Sequence, residues 1–203
     1  LIHDKIYNEA KKLGNGNYDF KPMLESIKPL IQKYDLAYYN QETILGGSDI
    51  GVSSYPAFNS PLAVLDTIKD TGYDMLLFAN NHCYDYKKTG FLATLAQFKN
   101  YGFEYIGAKE NASEKSYMVK DVNGVKLGLM NYADTLSQKN GQYYTINGIT
   151  INDGCDELMD IYMRNEYDKL YNEVSQRIAD MKSQGADIII MYIHWGDEYK
   201  LEP

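Results

Sequence analysis

Three short polar clusters carry most of the side chains that could do chemistry. They are Asn40-Gln41-Glu42-Thr43, Asn80-Asn81-His82 and His194-Trp195-Gly196-Asp197-Glu198. Together they supply carboxylate, amide and imidazole groups, the donors that hold divalent cations and move protons. Taken singly, each has an ordinary explanation. Glu42 reads as a solvated loop carboxylate, Asn80 and Asn81 as residues that tolerate a left-handed turn, and His82 or His194 as a hydrogen-bonded structural residue. The argument for chemistry is their shared address, since each cluster directly follows a run that reads as a strand. In α/β sheets, ligands bind in the crevice beyond the carboxyl ends of the strands. Glu42, Asn81, His82 and His194 are therefore expected to converge, although they lie far apart in sequence.

The elements that must position these clusters alternate between helix and strand. Apolar residues at helical spacing (Phe20, Met23, Leu24, Ile27, Leu30, Ile31) predict a helix over Asp19–Tyr34, followed by a short buried strand to Asn40. Pro61–Gly72 reads as a helix opened by proline and closed by glycine, and Asp74–Ala79 as the strand that runs into Asn80. A helix over Thr89–Tyr101, stopped by Gly102, and a brief strand at Glu104–Ile106 follow. Asn123-Gly124 and Asn147-Gly148 are hairpin signals between apolar runs. The polar stretch 133–165 reads as an insertion on the rim. Glu166–Gln184 is a long amphipathic helix, and Asp187–His194 a continuous apolar strand of the kind buried in parallel sheets. The pattern predicts an α/β fold: a mostly parallel sheet covered by helices, with an antiparallel portion.

Composition narrows the partners. A 203-residue chain suits one domain with a sizeable core. The formal net charge of -8 and the lack of a dense basic run argue against nucleic acid as a partner. The chain holds 20 tyrosines, which suit a core edge or a polymer groove equally well. Cys83 and Cys155 allow one bridge at most and give no zinc spacing. Trp195 and Tyr199 are expected to be mainly structural, wedging the loop after the His194 strand, because burial is the commoner role of such rings.

The chain resembles the CapA/PgsA-type bacterial capsule (poly-γ-glutamate) synthesis family, a relative of the calcineurin-like metallophosphoesterases. Four motifs in order carry the resemblance: Asn40-Gln41-Glu42-Thr43, Tyr55-Pro56-Ala57-Phe58-Asn59-Ser60-Pro61, Ala79-Asn80-Asn81-His82-Cys83-Tyr84-Asp85, and the stretch from His194 to Tyr199. The family pattern also has a G-D pair before Leu1-Ile2-His3 and a G-H-x-P-H element beyond Glu202-Pro203. The chain is therefore expected to be a single domain, 1–203, truncated at both ends. The resemblance implies a metallophosphoesterase-like sandwich of mixed β-sheets flanked by helices. It places Glu42, Asn81 and His194 as metal ligands, and His82, Asp85 and Glu198 as catalytic groups. Asn40, Asn80 and Trp195 fall on the substrate side. The implied cofactor is a pair of divalent ions (Mn, Fe, Zn or Mg), absent or weakly held in the shortened chain. Two ions would clamp the attacking and leaving oxygens of a hydrolysis.

The function this implies is capsule or poly-γ-glutamate biosynthesis or export, with a metal-dependent hydrolase site for a phosphoester or a γ-glutamyl amide. A non-catalytic polymer-binding module of the cell envelope and a stand-alone metallophosphoesterase are the alternatives. The implied location is extracytoplasmic, secreted or membrane-anchored. The implied partners are the anionic polymer or its precursors, other capsule-synthesis proteins at the membrane, and a second copy paired through an exposed sheet edge.

Overall fold

The computed structural model describes residues 1–135, 144–196 and 200. The chain divides into two compact units. The first comprises Leu1–Phe78 and His82–Tyr105; the second comprises Ala79–Asn81 and Ile106–Pro203. Each unit combines a small sheet with flanking helices, so the fold is mixed α/β. Among the described residues no helix is long and apolar enough to cross a membrane.

The first unit opens with α1 (Asp4–Leu13), α2 (Lys21–Leu24) and α3 (Lys28–Ile31). The single helix expected over Asp19–Tyr34 is thus two separate turns. Pro22 and Pro29 explain the break, since each stands in the first turn of its segment. Proline there is tolerated, but inside one continuous helix Pro29 would remove a hydrogen bond and clash with the preceding turn. The strand β1 (Tyr38–Asn40) follows, with Tyr38 and Asn40 exposed rather than buried. Next come α4 (Ala63–Thr71), closed by left-handed Gly72, and the fully buried β2 (Met75–Leu77). The helix α5 (Lys87–Asn100) follows, then the strand β3 (Glu104–Ile106), of which Glu104 and Tyr105 end the unit. The sheet order is β1-β2-β3, and β1 runs parallel to β2 with Asn40 opposite Leu77. Phe78 anchors this core, stacked on Phe91 at 5.6 Å and edge-on to Phe98 at 5.1 Å between centroids. Such aromatic pairs add to the burial of their own area.

The second unit is built on β5 (Val125–Thr135), which follows β4 (Met118–Val122) through Asn123-Gly124. Both turn residues have positive φ, 54° and 87°, as a two-residue hairpin turn with the twist of its strands requires. The hairpin of β6 (Thr145–Ile146) and β7 (Ile149–Thr150) turns the same way at Asn147-Gly148. Then come a 3-10 turn at Cys155–Leu158, β8 (Ile161–Met163), α6 (Tyr167–Ser183) and β9 (Ile188–His194). Within 133–165, then, β8 pairs in parallel with Ala133–Thr135 of β5. On the other flank β9 runs parallel to β5 over Leu127–Ala133. Met130, Tyr132, Tyr162 and Met181 form the core, against which Leu170, Val174 and Ile178 of α6 pack. The apolar run of β9 predicts burial, yet Ile188 and Ile193 are exposed and its other residues half-buried. An apolar run looks the same in sequence at the edge of a sheet as at its centre.

One ion pair runs through this core. Arg177 of α6 donates to both oxygens of Asp160, at 2.6 and 2.8 Å, and to Glu173 at 2.5 Å. Ser116 donates to Asp160 at 2.7 Å, and Tyr132 donates to Glu173 at 3.1 Å. The guanidinium lies over the rings of Tyr117 and Tyr132, at 4.9 and 4.8 Å. Burial pushes the Asp160 carboxyl up, while Arg177 and the Ser116 hydroxyl pull it down. Burial also works against the charge of Arg177, but the hydrogen bonds and charge of Asp160 overcome it and raise its pKa.

Candidate functional site

In the first unit the chemistry gathers around one carboxylate. Asp85 has a fully buried side chain; its Oδ2 lies 2.7 Å from Nδ1 of His82 and accepts the Phe58 backbone N–H at 2.7 Å. A carboxylate can only accept, so Nδ1 of His82 carries the proton of that bond. The His82 ring is 12% exposed and meets Phe58 edge-on, 4.9 Å between centroids. Asp85 thereby ties the Tyr55–Pro61 motif to the His82 motif. Phe58 is the link that motif reading did not single out.

Glu42 leaves β1 on a braced segment. The Gln41 N–H donates to the Leu77 carbonyl, extending the β1–β2 pairing by one bond. The Gln41 side chain donates to the Thr43 carbonyl and hydroxyl, and Thr43 shares a hydroxyl bond with Ser60 at 2.7 Å. Asn59, fully buried, accepts from the Gly46 N–H and donates to the carbonyls of Gly47 and Gly51. Glu42 itself is 21% exposed and lies 3.5 Å from the Leu1 amino nitrogen. Asn40 is exposed at the end of β1.

In the second unit Asn80 is buried and Asn81 partly so, and both follow Ala79 directly. A buried Asn131 on β5 fixes that residue. Its Oδ1 accepts the Ala79 N–H at 2.7 Å, and its Nδ2 approaches the carbonyls of Ala79 and Tyr192 at 3.5 Å. Tyr192 stands two residues before His194 on β9, and His194 pairs with Ala133. Asn131 thus links Ala79, which precedes Asn80-Asn81, to β9 two residues before His194. A single asparagine inside the apolar β5 run was the available signal, and sequence reasoning passed over it. Gly107 seals the arrangement, because a Cβ there would stand 2.4 Å from Asn131 Oδ1 and 2.8 Å from Ala79.

Trp195 corrects an expectation. Its 68% exposure rules out the wedging role and leaves the ring available to stack on a ligand. Glu198, Tyr199 and the rest of the last motif beyond Gly196 lie outside the described residues.

The donors present bear on the implied metal. The Oδ1 of Asn81 is buried and has no hydrogen-bond partner among the described residues. A buried acceptor without a donor is costly, and a cation would satisfy it. The imidazole of His194, in the same unit, is a second donor type that divalent ions accept. Among the described residues no three His, Cys, Asp or Glu side chains group as a metal centre. The case for an ion in the structure therefore rests on the Asn81 oxygen.

Comparison with known proteins agrees with the motifs. The chain is 28% identical over 137 residues to the capsule biosynthesis protein CapA of Bacillus anthracis, covering 67% of this chain and 30% of that protein. It is 26% identical over 138 residues to the PGA biosynthesis protein CapA of Bacillus subtilis (strain 168), covering 67% of this chain and 32% of that one. The match thus spans about a third of each relative's length. The model of one family, described as bacterial capsule synthesis protein PGA_cap, matches residues 1–203. Matched from its first residue to its last, and with Asp85 joining two of the motifs in space, the chain belongs to the bacterial capsule synthesis protein PGA_cap family.

Proposed function

We propose that the chain acts in the biosynthesis or export of an anionic capsule polymer of the poly-γ-glutamate type, with His82 moving a proton in a hydrolytic step. The names of the two CapA relatives support the polymer role. In this reading the protein works outside the cytoplasm, tethered or secreted, beside other capsule-synthesis proteins, because the polymer is delivered there.

The observation that carries the hydrolytic reading is the buried Asp85 carboxylate set against His82 Nδ1. An imidazole held in one tautomer and orientation by a carboxylate presents its other nitrogen, Nε2, for proton exchange. As imidazolium it gives a proton to the departing oxygen of a phosphoester or nitrogen of a γ-glutamyl amide. As neutral imidazole it takes one from the attacking water. Asp85 and Phe58 hold the ring, and Phe58 shields one side of it from solvent. In the second unit Asn81 and His194 would hold a divalent ion, the role the resemblance assigns them. When bound, that ion supplies positive charge that polarises the scissile bond and acidifies water. Asn40 and Asn80 stand on the substrate side of this reading, as Asp85 does on the catalytic side.

The test is hydrolysis of an aryl phosphoester and a γ-glutamyl anilide by the whole protein, with Mn²⁺ added. His82→Gln is expected to lower kcat by about 10²–10⁴-fold, the range of lost acid–base catalysis, and Asp85→Asn by less. The exposed Trp195 favours a second reading, a polymer-binding module without catalysis. Undetectable turnover of both substrates, with poly-γ-glutamate binding that is lost in Trp195→Ala, would replace the first reading by the second.

A further inference from the structure

Three strand ends of the second unit meet at one side chain. Ala133 pairs with both Ile161 and His194, which sets β5 between β8 and β9. Arg164 directly follows β8, Asp134 lies next to the end of β5, and Gly196 stands two residues past the end of β9. The Nε of Arg164 donates to Asp134 Oδ2 at 2.5 Å, and an NH2 of the same guanidinium donates to the Gly196 carbonyl at 2.7 Å. One planar group therefore reaches from the end of β8, across the end of β5, to the chain leaving β9.

The turn it holds needs holding. Gly196 has φ +112°, a conformation that side chains other than glycine's rarely adopt, and a Cβ there would meet nothing within 4 Å. The Trp195 ring is largely exposed, so little packing anchors it. Asp134 is 11% exposed and Arg164 33%, so the pair is partly withdrawn from water and less screened than a surface ion pair. The rigid fork of arginine serves a carboxylate and a carbonyl together from different nitrogens. A lysine ammonium, a point charge on a flexible stem, does not reproduce that geometry.

We propose that Arg164 is the positioning residue of the His194-Trp195-Gly196 turn. Its guanidinium, oriented by Asp134, holds the Gly196 carbonyl and so fixes the direction in which His194 presents its imidazole. The hold on the turn stands by itself. Only its effect on metal affinity rests on the reading of His194 as a ligand.

Trp195 is the only tryptophan in the chain, so its fluorescence reports this turn directly. Time-resolved anisotropy is measured on the full chain for wild type, Arg164→Lys, Arg164→Ala and Asp134→Asn, with urea midpoints as the folding control. Both Arg164 variants are expected to shift the decay toward fast local depolarisation, and Asp134→Asn to shift it part of the way. Arg164→Lys keeps the charge and guards against a variant that fails to fold. Mn²⁺ alone is then titrated. Loss of the positioning residue is expected to weaken its binding about 10–100-fold, the usual effect of removing a group that orients a ligand. If wild type binds no Mn²⁺ but the anisotropy shifts, the metal reading fails and the positioning role survives. Unchanged anisotropy in folded Arg164→Lys and Arg164→Ala overturns the proposal, whatever the metal does.

Discussion

Replacing Arg177 by methionine isolates the worth of the ion pair in the second unit. Asp160 and Arg177 side chains are 3% and 11% exposed. The substitution removes both bonds to Asp160 and leaves its carboxylate with the Ser116 hydroxyl. It also takes the guanidinium charge from over the rings of Tyr117 and Tyr132. Breaking a buried pair by deleting one partner costs about 3–5 kcal/mol, mostly because the remaining charge stays buried. Arg177→Met is therefore expected to lose about 3–5 kcal/mol near neutral pH. The double variant Asp160→Asn/Arg177→Met, with no buried charge left at the pair, is expected to recover at least about half of that.

The dependence on pH has a definite sign. With the guanidinium gone, burial raises the Asp160 carboxyl unopposed by Arg177, so its folded-state pKa stands above its unfolded value. A group raised on folding contributes stability that is fully present below the unfolded pKa and is lost as pH rises through the folded one. The deficit of Arg177→Met should therefore shrink from about pH 7 to about pH 5, as the buried carboxyl takes up its proton. The assay is urea unfolding followed by far-UV circular dichroism and by Trp195 emission, whose coincidence checks for a single transition. A loss below about 1 kcal/mol, or a deficit that grows on acidification, would refute the account of a buried charge as the source of the cost.

Two glycines with similar φ should behave differently. Gly107→Ala meets the Asn131 oxygen and Ala79 as well as a φ of +88°, and is expected to cost about 2–4 kcal/mol in urea unfolding. Gly124→Ala has φ +87° and open space around it, so only the conformational cost of about 1–2 kcal/mol is expected. Asn59→Ala removes one accepted and two donated bonds from a fully buried side chain and leaves the Gly46 N–H unpaired. A loss of about 2–4 kcal/mol is expected in the same assay.

Local chemistry was legible in the sequence wherever one or two residues decide the backbone. Asn123-Gly124 and Asn147-Gly148 turn as read, and Gly72, Gly102 and Gly185 close their helices in the left-handed region. Apolar periodicity misled at Asp19–Tyr34, where Pro29 outranks the spacing of its neighbours, and at β9, where a uniform run conceals an edge. The His82–Asp85 pair was within reach because the partners lie three residues apart in a recognisable motif. Arg177–Asp160, Arg164–Asp134 and Asn131–Ala79 were not, since each joins residues that only the folded sheet makes neighbours. Trp195 departed from its ordinary preference for burial, and a departure at a motif residue is where function is to be sought.

The bond from Asn131 to Ala79 spans 52 residues of chain, and it draws three residues, Ala79–Asn81, out of the first unit's stretch of sequence into the second unit. During synthesis those three residues leave the ribosome long before β5 exists to receive them. At about 5–20 residues per second they wait some seconds without their partner. Until then the second unit lacks one of its own pieces, and its final assembly follows only after a long loop has closed. A polypeptide of 106–203 alone would lack that piece, so a gene fusion or truncation that separates the second unit from Ala79–Asn81 leaves Asn131 without the Ala79 N–H it accepts.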